Sequence, residues 1–161
     1  MSTTVPENIV STELNNGIGN YLYHICYYFI SAVLIGSGLA KIIDPSGMLN
    51  TLDTAFNFLS EDIIVITATT IPIAELGIGA MLLLKIKTKL ALISSVILFA
   101  GFFLFSIYGN IIGLNDDCGC FGNVIKSDFG WGMIVRNAFL MLLTIYLIIK
   151  DFNYPAQSGD K

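Results

Sequence analysis

Charge is what this chain has least of. Only 12% of its 161 residues are Asp, Glu, Lys or Arg, about half the roughly 25% usual in a soluble domain. That shortage argues for lipid as the surrounding solvent. Histidine occurs once, at His24, so no catalytic histidine is expected. Eight basic residues against twelve acidic ones give a net charge of −4, which leaves no basic patch for a nucleic-acid partner. Cysteine is scarce too, with three residues in all, yet two of them, Cys118 and Cys120, stand one glycine apart.

What the chain has instead is hydrocarbon. Apolar residues make up 55% of it, and the mean hydropathy is +0.76. Four runs reach the length of about 20 apolar residues that a bilayer crossing needs: 21–43, 63–84, 90–114 and about 128–149. No basic segment precedes the first run, and that run is too long for a signal-peptide core, so it is read as retained. The outer loop 44–62 carries Met48, Leu49, Leu52, Ala55, Phe56 and Leu59 at helical spacing, which marks an amphipathic helix. Lying flat on the outer leaflet, it would roof the bundle. The expected fold is therefore all-α: a four-transmembrane-helix bundle with a short amphipathic outer-face helix between spans 1 and 2. A polar segment at 1–18, the membrane domain at 19–152 and a flexible tail at 153–161 complete the organisation.

Orientation follows from the lysines. An even number of spans puts both termini on one side, together with the short link "KIKTK" (Lys85, Lys87, Lys89) and Lys150. Short loops rich in Lys and Arg stay in the cytoplasm. The expectation is a multi-pass protein of the inner (cytoplasmic) membrane with both termini cytoplasmic and the loop "DDCGCFGN" extracytoplasmic. There, disulfides form and persist. Ser60 reads as the N-cap of the second span, with Glu61 and Asp62 against the positive helix end. Small residues in "GSGLA" (Gly36, Ala40) and "AELGIGA" (Ala74, Gly77, Gly79, Ala80) let helix backbones approach closely.

Cysteines two positions apart can meet within the roughly 4.4–6.8 Å Cα separation that a bridge tolerates. The ring is small and strained, and strain favours a labile, exchanging bridge over an inert staple. Gly119 and Gly122 supply the backbone freedom for so tight a loop. Asp116 and Asp117 oppose thiolate formation, while Lys126 and the start of the fourth helix favour it. A structural zinc site needs four ligands, and the other candidates, Cys26 and His24, lie near the inner end of the first span; no metal is expected. Cys26 reads as an apolar filler.

Glu75 is the sharpest anomaly. It sits about 18 Å down the second span, where an ionisable group costs about 2.5–3.5 kcal/mol even on a lenient scale. It must be protonated, paired or facing a polar cavity. Arg136 enters the fourth span to about 12 Å. The expected arrangement is a Glu75–Arg136 pair with Asn137 nearby and Lys41 capping the first helix from above. Pro72 frees a backbone carbonyl for the cluster. Such a group serves as a packing lock, a proton site or a polar pocket for a quinone headgroup.

These pieces together resemble the MauE/DoxX superfamily of small four-helix membrane proteins, MauE most closely. The matching residues are "GSGLAKIIDP" closing the first span, "PIAELGIG" in the second, "CGCFG" before the fourth, and Trp131, Arg136 and Asn137 entering it. The resemblance implies a membrane component associated with redox or disulfide chemistry. MauE-type proteins are linked to methylamine utilisation and to maturation of a disulfide-rich periplasmic dehydrogenase; DoxX relatives keep quinone in view. The functional expectation is thiol–disulfide exchange through Cys118 and Cys120, with Glu75, Arg136, Asn137 and Lys41 as the polar cluster and quinone as the candidate cofactor. Expected partners are membrane lipid and an extracytoplasmic thiol or thioredoxin-like protein, or a secreted client. The rival reading is a non-enzymatic assembly or anchoring subunit with a structural bridge. A transporter using Glu75 as its proton site has little support in a chain without a repeat.

Overall fold

In hydrocarbon an unpaired backbone N–H or C=O costs several kcal/mol, so a lone crossing segment must satisfy its own peptide groups as a helix. All four apolar runs do so. The structure, a computed structural model, describes residues 7–113 and 131–153, and the side chains of 21–113 and 131–152. Among the described residues five helices follow in order: α1 (Glu7–Ile43), α2 (Ser46–Ala55), α3 (Glu61–Leu83), α4 (Thr88–Ile111) and α5 (Trp131–Asn153). The stretches long and apolar enough to span a bilayer are Tyr21–Ile43, Glu61–Leu83, Thr88–Ile111 and Trp131–Phe152. The polar segment anticipated at 1–18 is helical from Glu7 onward. Extending a helix adds a hydrogen bond for each residue fixed, whereas nucleating one is costly.

The long helices form an antiparallel ring. α1 packs most broadly on α3, and α4 on α5; narrower α3–α4 and α1–α5 contacts close it. Direction is fixed by specific bonds. The Tyr27 hydroxyl donates to the Leu82 carbonyl at 2.6 Å, and Ser31 Oγ to that of Gly79 at 2.9 Å. Ser106 on α4 faces Asn137 on α5 at 2.6 Å, while Lys89 lies over the ring of Phe152. The interior is inside-out by the standard of a soluble bundle. Ile66, Ile97, Leu104 and Val135 are exposed, whereas Ser31, Glu75, Ser95 and Thr144 are fully buried. Lipid solvates the former, and the latter find hydrogen bonds within the protein.

Two glycines set the α1–α3 distance. A Cβ on Gly38 would lie 2.9 Å from the Pro72 carbonyl oxygen, and one on Gly79 would lie 2.8 Å from Ile35 Cγ1. Gly36 and Gly77, expected from the sequence to make this contact, would meet nothing within 4 Å. Spacing by fours is right for a close contact but does not say which face carries it. Ser31, Leu34, Ser37, Gly38 and Lys41 define the inward face of α1, and Gly36 lies off it.

α2 buries Met48, Thr51, Leu52 and Ala55. Met48 and Leu52 meet Ile64 and Ala68 of α3, with Leu49, Phe56, Leu59, Ile71 and Phe105 around them, and Ala55 meets Met133 of α5. The helix stops at Ala55, and the apolar row continues through the following turn as Phe56 and Leu59. Phe56 stacks on Tyr108 at 5.6 Å and on Phe105 at 6.0 Å, and the Tyr108 hydroxyl donates to the Ala55 carbonyl at 3.2 Å. So α2 bridges α3 and α4 over one end of the ring. Ser60 occupies the N-cap position of α3, but its side chain makes no capping bond; its carbonyl accepts from Ile63 at 3.0 Å instead. At the opposite end, Lys85 and Lys87 take left-handed backbone angles in the α3–α4 turn, with φ of 54° and 45°. Lys85, Lys89 and Lys150 lie there over the rings of Tyr28, Phe152 and Tyr23.

Candidate functional site

A carboxylate in the middle of an apolar helix must find a cation or give up its charge. Glu75 finds Lys41. The ammonium Nζ lies 2.5 Å from Glu75 Oε1, and the two side chains are 2% and 0% exposed. Ser37, one turn before Lys41 on α1, completes a triangle. Its hydroxyl donates to Glu75 Oε1 at 3.2 Å and accepts from Lys41 Nζ at 3.1 Å. The ammonium also sits 4.5 Å from the centre of the Phe102 ring, a further favourable contact for a desolvated cation. Glu75 Oε2 is buried and receives no hydrogen bond among the described residues.

The expected Glu75–Arg136 ion pair therefore does not form; Lys41 takes that place. The reason is the direction in which helical side chains leave the backbone. Each Cα–Cβ bond tilts toward the helix N-terminus. Lys41 lies in the last turn of α1, so its side chain is directed back into the bundle, one turn down to Ser37. Arg136 lies in the second turn of α5, where the same tilt biases it toward the α2 end. Equal depth along two helix axes is not equal depth of the charged groups.

All four residues of the predicted polar cluster nonetheless meet. Lys41, Glu75, Arg136 and Asn137 line one cavity of about 20 Å³ together with Ser37 and Phe102. The Asn137 amide donates to Ser106 Oγ at 2.6 Å, with the Phe102 carbonyl at 3.4 Å. That volume is about what a single water requires, and it has no room for an aromatic headgroup. Ser37, Phe102 and Ser106 were not among the expected residues. For Ser37 the signal is its i, i+4 relation to Lys41; the other two carry none in isolation. Pro72 has no N–H for the carbonyl four residues earlier, that of Ala68, which packs with α2 residues rather than in this cluster.

A second cavity lies on the other side of Lys41. It measures about 540 Å³ and is bounded by α2, α3 and α4 together with Lys41 of α1. Cys118 and Cys120 lie outside the described residues. The helices flanking their segment end at Ile111 and begin at Trp131, both on the α2 side of the bundle. Cys26 packs against the core formed by α1, α3, α4 and α5.

These features define an integral membrane protein: four spanning helices, a short helix across one end, and an ion pair buried beneath it. Comparison with known families makes the class specific. The family of methylamine utilisation protein MauE matches residues 19–150, and the chain belongs to that family. Neither the curated proteins nor the solved structures gave a match.

Proposed function

We propose that this chain is a membrane component of thiol–disulfide exchange, acting in the maturation of an extracytoplasmic partner through Cys118 and Cys120. The observation that carries the reading is where the "CGC" segment is attached. It joins the α2-side ends of α4 and α5, opposite the end that gathers Lys85, Lys87, Lys89 and Lys150. Short basic loops remain cytoplasmic, so the α2 end faces the oxidising compartment of the inner membrane, and both termini are cytoplasmic. Membership of the MauE family supports a connection with methylamine utilisation, whose dehydrogenase would be one such client.

In the exchange, a client thiolate attacks one sulfur of the Cys118–Cys120 bridge. The bridge opens, the other cysteine leaves as a thiolate, and a mixed disulfide forms. A second client thiolate then displaces the first cysteine. The client has lost two electrons and two protons and gained a disulfide; the cysteine pair has gained both and become a dithiol. Returning the pair to its disulfide requires a two-electron, two-proton acceptor, a role that a lipid-soluble quinone would fill on becoming the quinol.

Replacing Cys120 with Ser tests this reading, because it removes the resolving thiol. Cys118 in that variant should accumulate a covalent, reductant-sensitive adduct with a secreted or membrane-anchored thiol protein. Absence of any mixed disulfide, under conditions that trap established exchangers, would overturn the reading.

A second reading has its own support. The Lys41–Glu75–Ser37 triangle is compact and nearly inaccessible, as a packing lock in a non-enzymatic assembly subunit would be. On that reading, replacing both Cys118 and Cys120 by Ser lowers the amount of protein while the remainder keeps its full effect on the client.

A further inference from the structure

The cavity of about 540 Å³ under α2 is costly to leave empty. Close-packed interiors hold few voids larger than a water molecule, because atoms lining a gap lose their dispersion partners. Water is a poor filling for this one. A buried water needs about two to four polar partners, and the wall is mostly apolar, with Met48, Leu52, Ile71 and Leu98 in it. Of its few hydroxyl groups, that of Thr51 already donates to the Gly47 carbonyl at 2.7 Å. The Lys41 ammonium is held by Glu75, Ser37 and the Phe102 ring, so this residue gives the wall its methylene stem. Hydrocarbon is the filling such a wall accepts.

The cavity is long as well as apolar. Its α3 wall runs from Thr67 to Ile78 and its α4 wall from Ser94 to Phe105, about 16 Å along each helix. Bilayer acyl chains lie along that same axis. Small residues keep the slot open: Ala74 lies on one side and Gly101 on the other, and a Cβ on Gly101 would meet nothing within 4 Å. Such residues usually let membrane helices close up, yet α3 touches α4 more narrowly than α1 touches α3 or α4 touches α5. Ile97, 68% exposed, belongs both to the wall and to the lipid-facing surface of α4, so the slot opens sideways into the bilayer. Charge at the α2 end adds a headgroup preference. Asp44, Asp53, Glu61 and Asp62 lie there and are at least partly exposed, whereas Lys41 is buried and Arg136 lines the small polar cavity. Among the described residues that end is acidic, which attracts an ammonium and repels an anionic headgroup.

We infer that this cavity holds one acyl chain of a phospholipid with an ethanolamine headgroup, inserted between α3 and α4, its ammonium among the carboxylates of the α2 end. The chain completes the narrow α3–α4 contact and supports α2 from below. The site goes beyond the thiol reading and does not rest on it.

The test reconstitutes the purified full chain in phosphatidylcholine vesicles that contain a phosphatidylethanolamine with a diazirine midway along one acyl chain. Photolysis is followed by peptide mass spectrometry. Label is expected on residues 67–78 of α3 and 94–105 of α4, and unlabelled phosphatidylethanolamine should displace it roughly tenfold better than phosphatidylglycerol. Gly101→Leu fills the slot from its wall and should cut labelling roughly tenfold. Gly77→Leu, where a Cβ also meets nothing within 4 Å but which lies outside the wall, should leave labelling unchanged. The Cys118→Ser, Cys120→Ser double variant should label as fully as the parent. Label scattered over lipid-facing positions such as Ile66 and Val135 overturns the inference, and so does equal displacement by phosphatidylglycerol. Displacement from the parent chain needs no variant, so a poorly folded Gly101→Leu protein does not remove the test.

Discussion

Replacing Lys41 with Met, Glu75 with Gln, and then both, probes the buried ion pair directly. The two charged groups are 2% and 0% exposed, with 2.5 Å between Nζ and Oε1. Removing one partner strands the other charge in a dry interior, which costs about 3–5 kcal/mol. For a chain of this size each kcal/mol moves the unfolding midpoint by roughly 2–4 °C, so either single variant should melt roughly 6–20 °C lower. The double variant strands no charge and keeps the volume of the site, so it should recover much of the loss. The coupling energy should fall near the upper part of the roughly 0.5–3 kcal/mol range seen for contacting residues. A parallel cycle on Glu75→Gln and Arg136→Gln should give a smaller coupling, since no hydrogen bond or ion pair joins those side chains. Thermal unfolding in detergent, followed through Trp131, the single tryptophan, reads all of these. A Glu75–Arg136 coupling larger than that of Lys41–Glu75 would refute the pairing.

Other consequences are local. Gly38→Ala places a methyl group 2.9 Å from the Pro72 carbonyl and should destabilise by about 1–3 kcal/mol through overpacking. Gly36→Ala and Gly77→Ala meet open space and should be neutral or gain up to about 1 kcal/mol of helix propensity; thermal unfolding separates this pair from Gly38→Ala. Ser106→Ala removes the closer acceptor of the buried Asn137 amide and should cost about 1–3 kcal/mol, with Asn137→Leu recovering part of it. Phe56→Ala removes the stacks on Phe105 and Tyr108. It should speed proteolysis within residues 46–60 while the four spans stay protected, as a time course resolved by mass spectrometry would show.

Much of this architecture is legible from residue chemistry. The spans follow from apolar run length, and α2 from the repeat of Met48, Leu52, Ala55 and Phe56. Glu75 and Arg136 stand out because charge in hydrocarbon is expensive. What cannot be read off is direction. Counting 1.5 Å per residue gives Cα depth, but the tilt of side chains toward the helix N-terminus carries Lys41 inward and reverses the expected choice of partner. Small residues spaced by four announce a close contact in both α1 and α3, yet only the packed face distinguishes Gly38 and Gly79 from Gly36 and Gly77. The 540 Å³ cavity leaves no mark in the sequence, because its walls come from four helices and most of the residues each contributes are ordinary apolar ones. The cysteine pair is the reverse case: conspicuous as a motif, and outside the described residues.

The proposed chemistry depends on which compartment holds that motif. Intact cells carrying the Cys26→Ser variant can be reduced gently and then treated with a membrane-impermeant maleimide. Cys118 and Cys120 should label before lysis, and prior oxidation should block both. Labelling that appears only after the membrane is broken would put the pair in the cytoplasm and contradict the account.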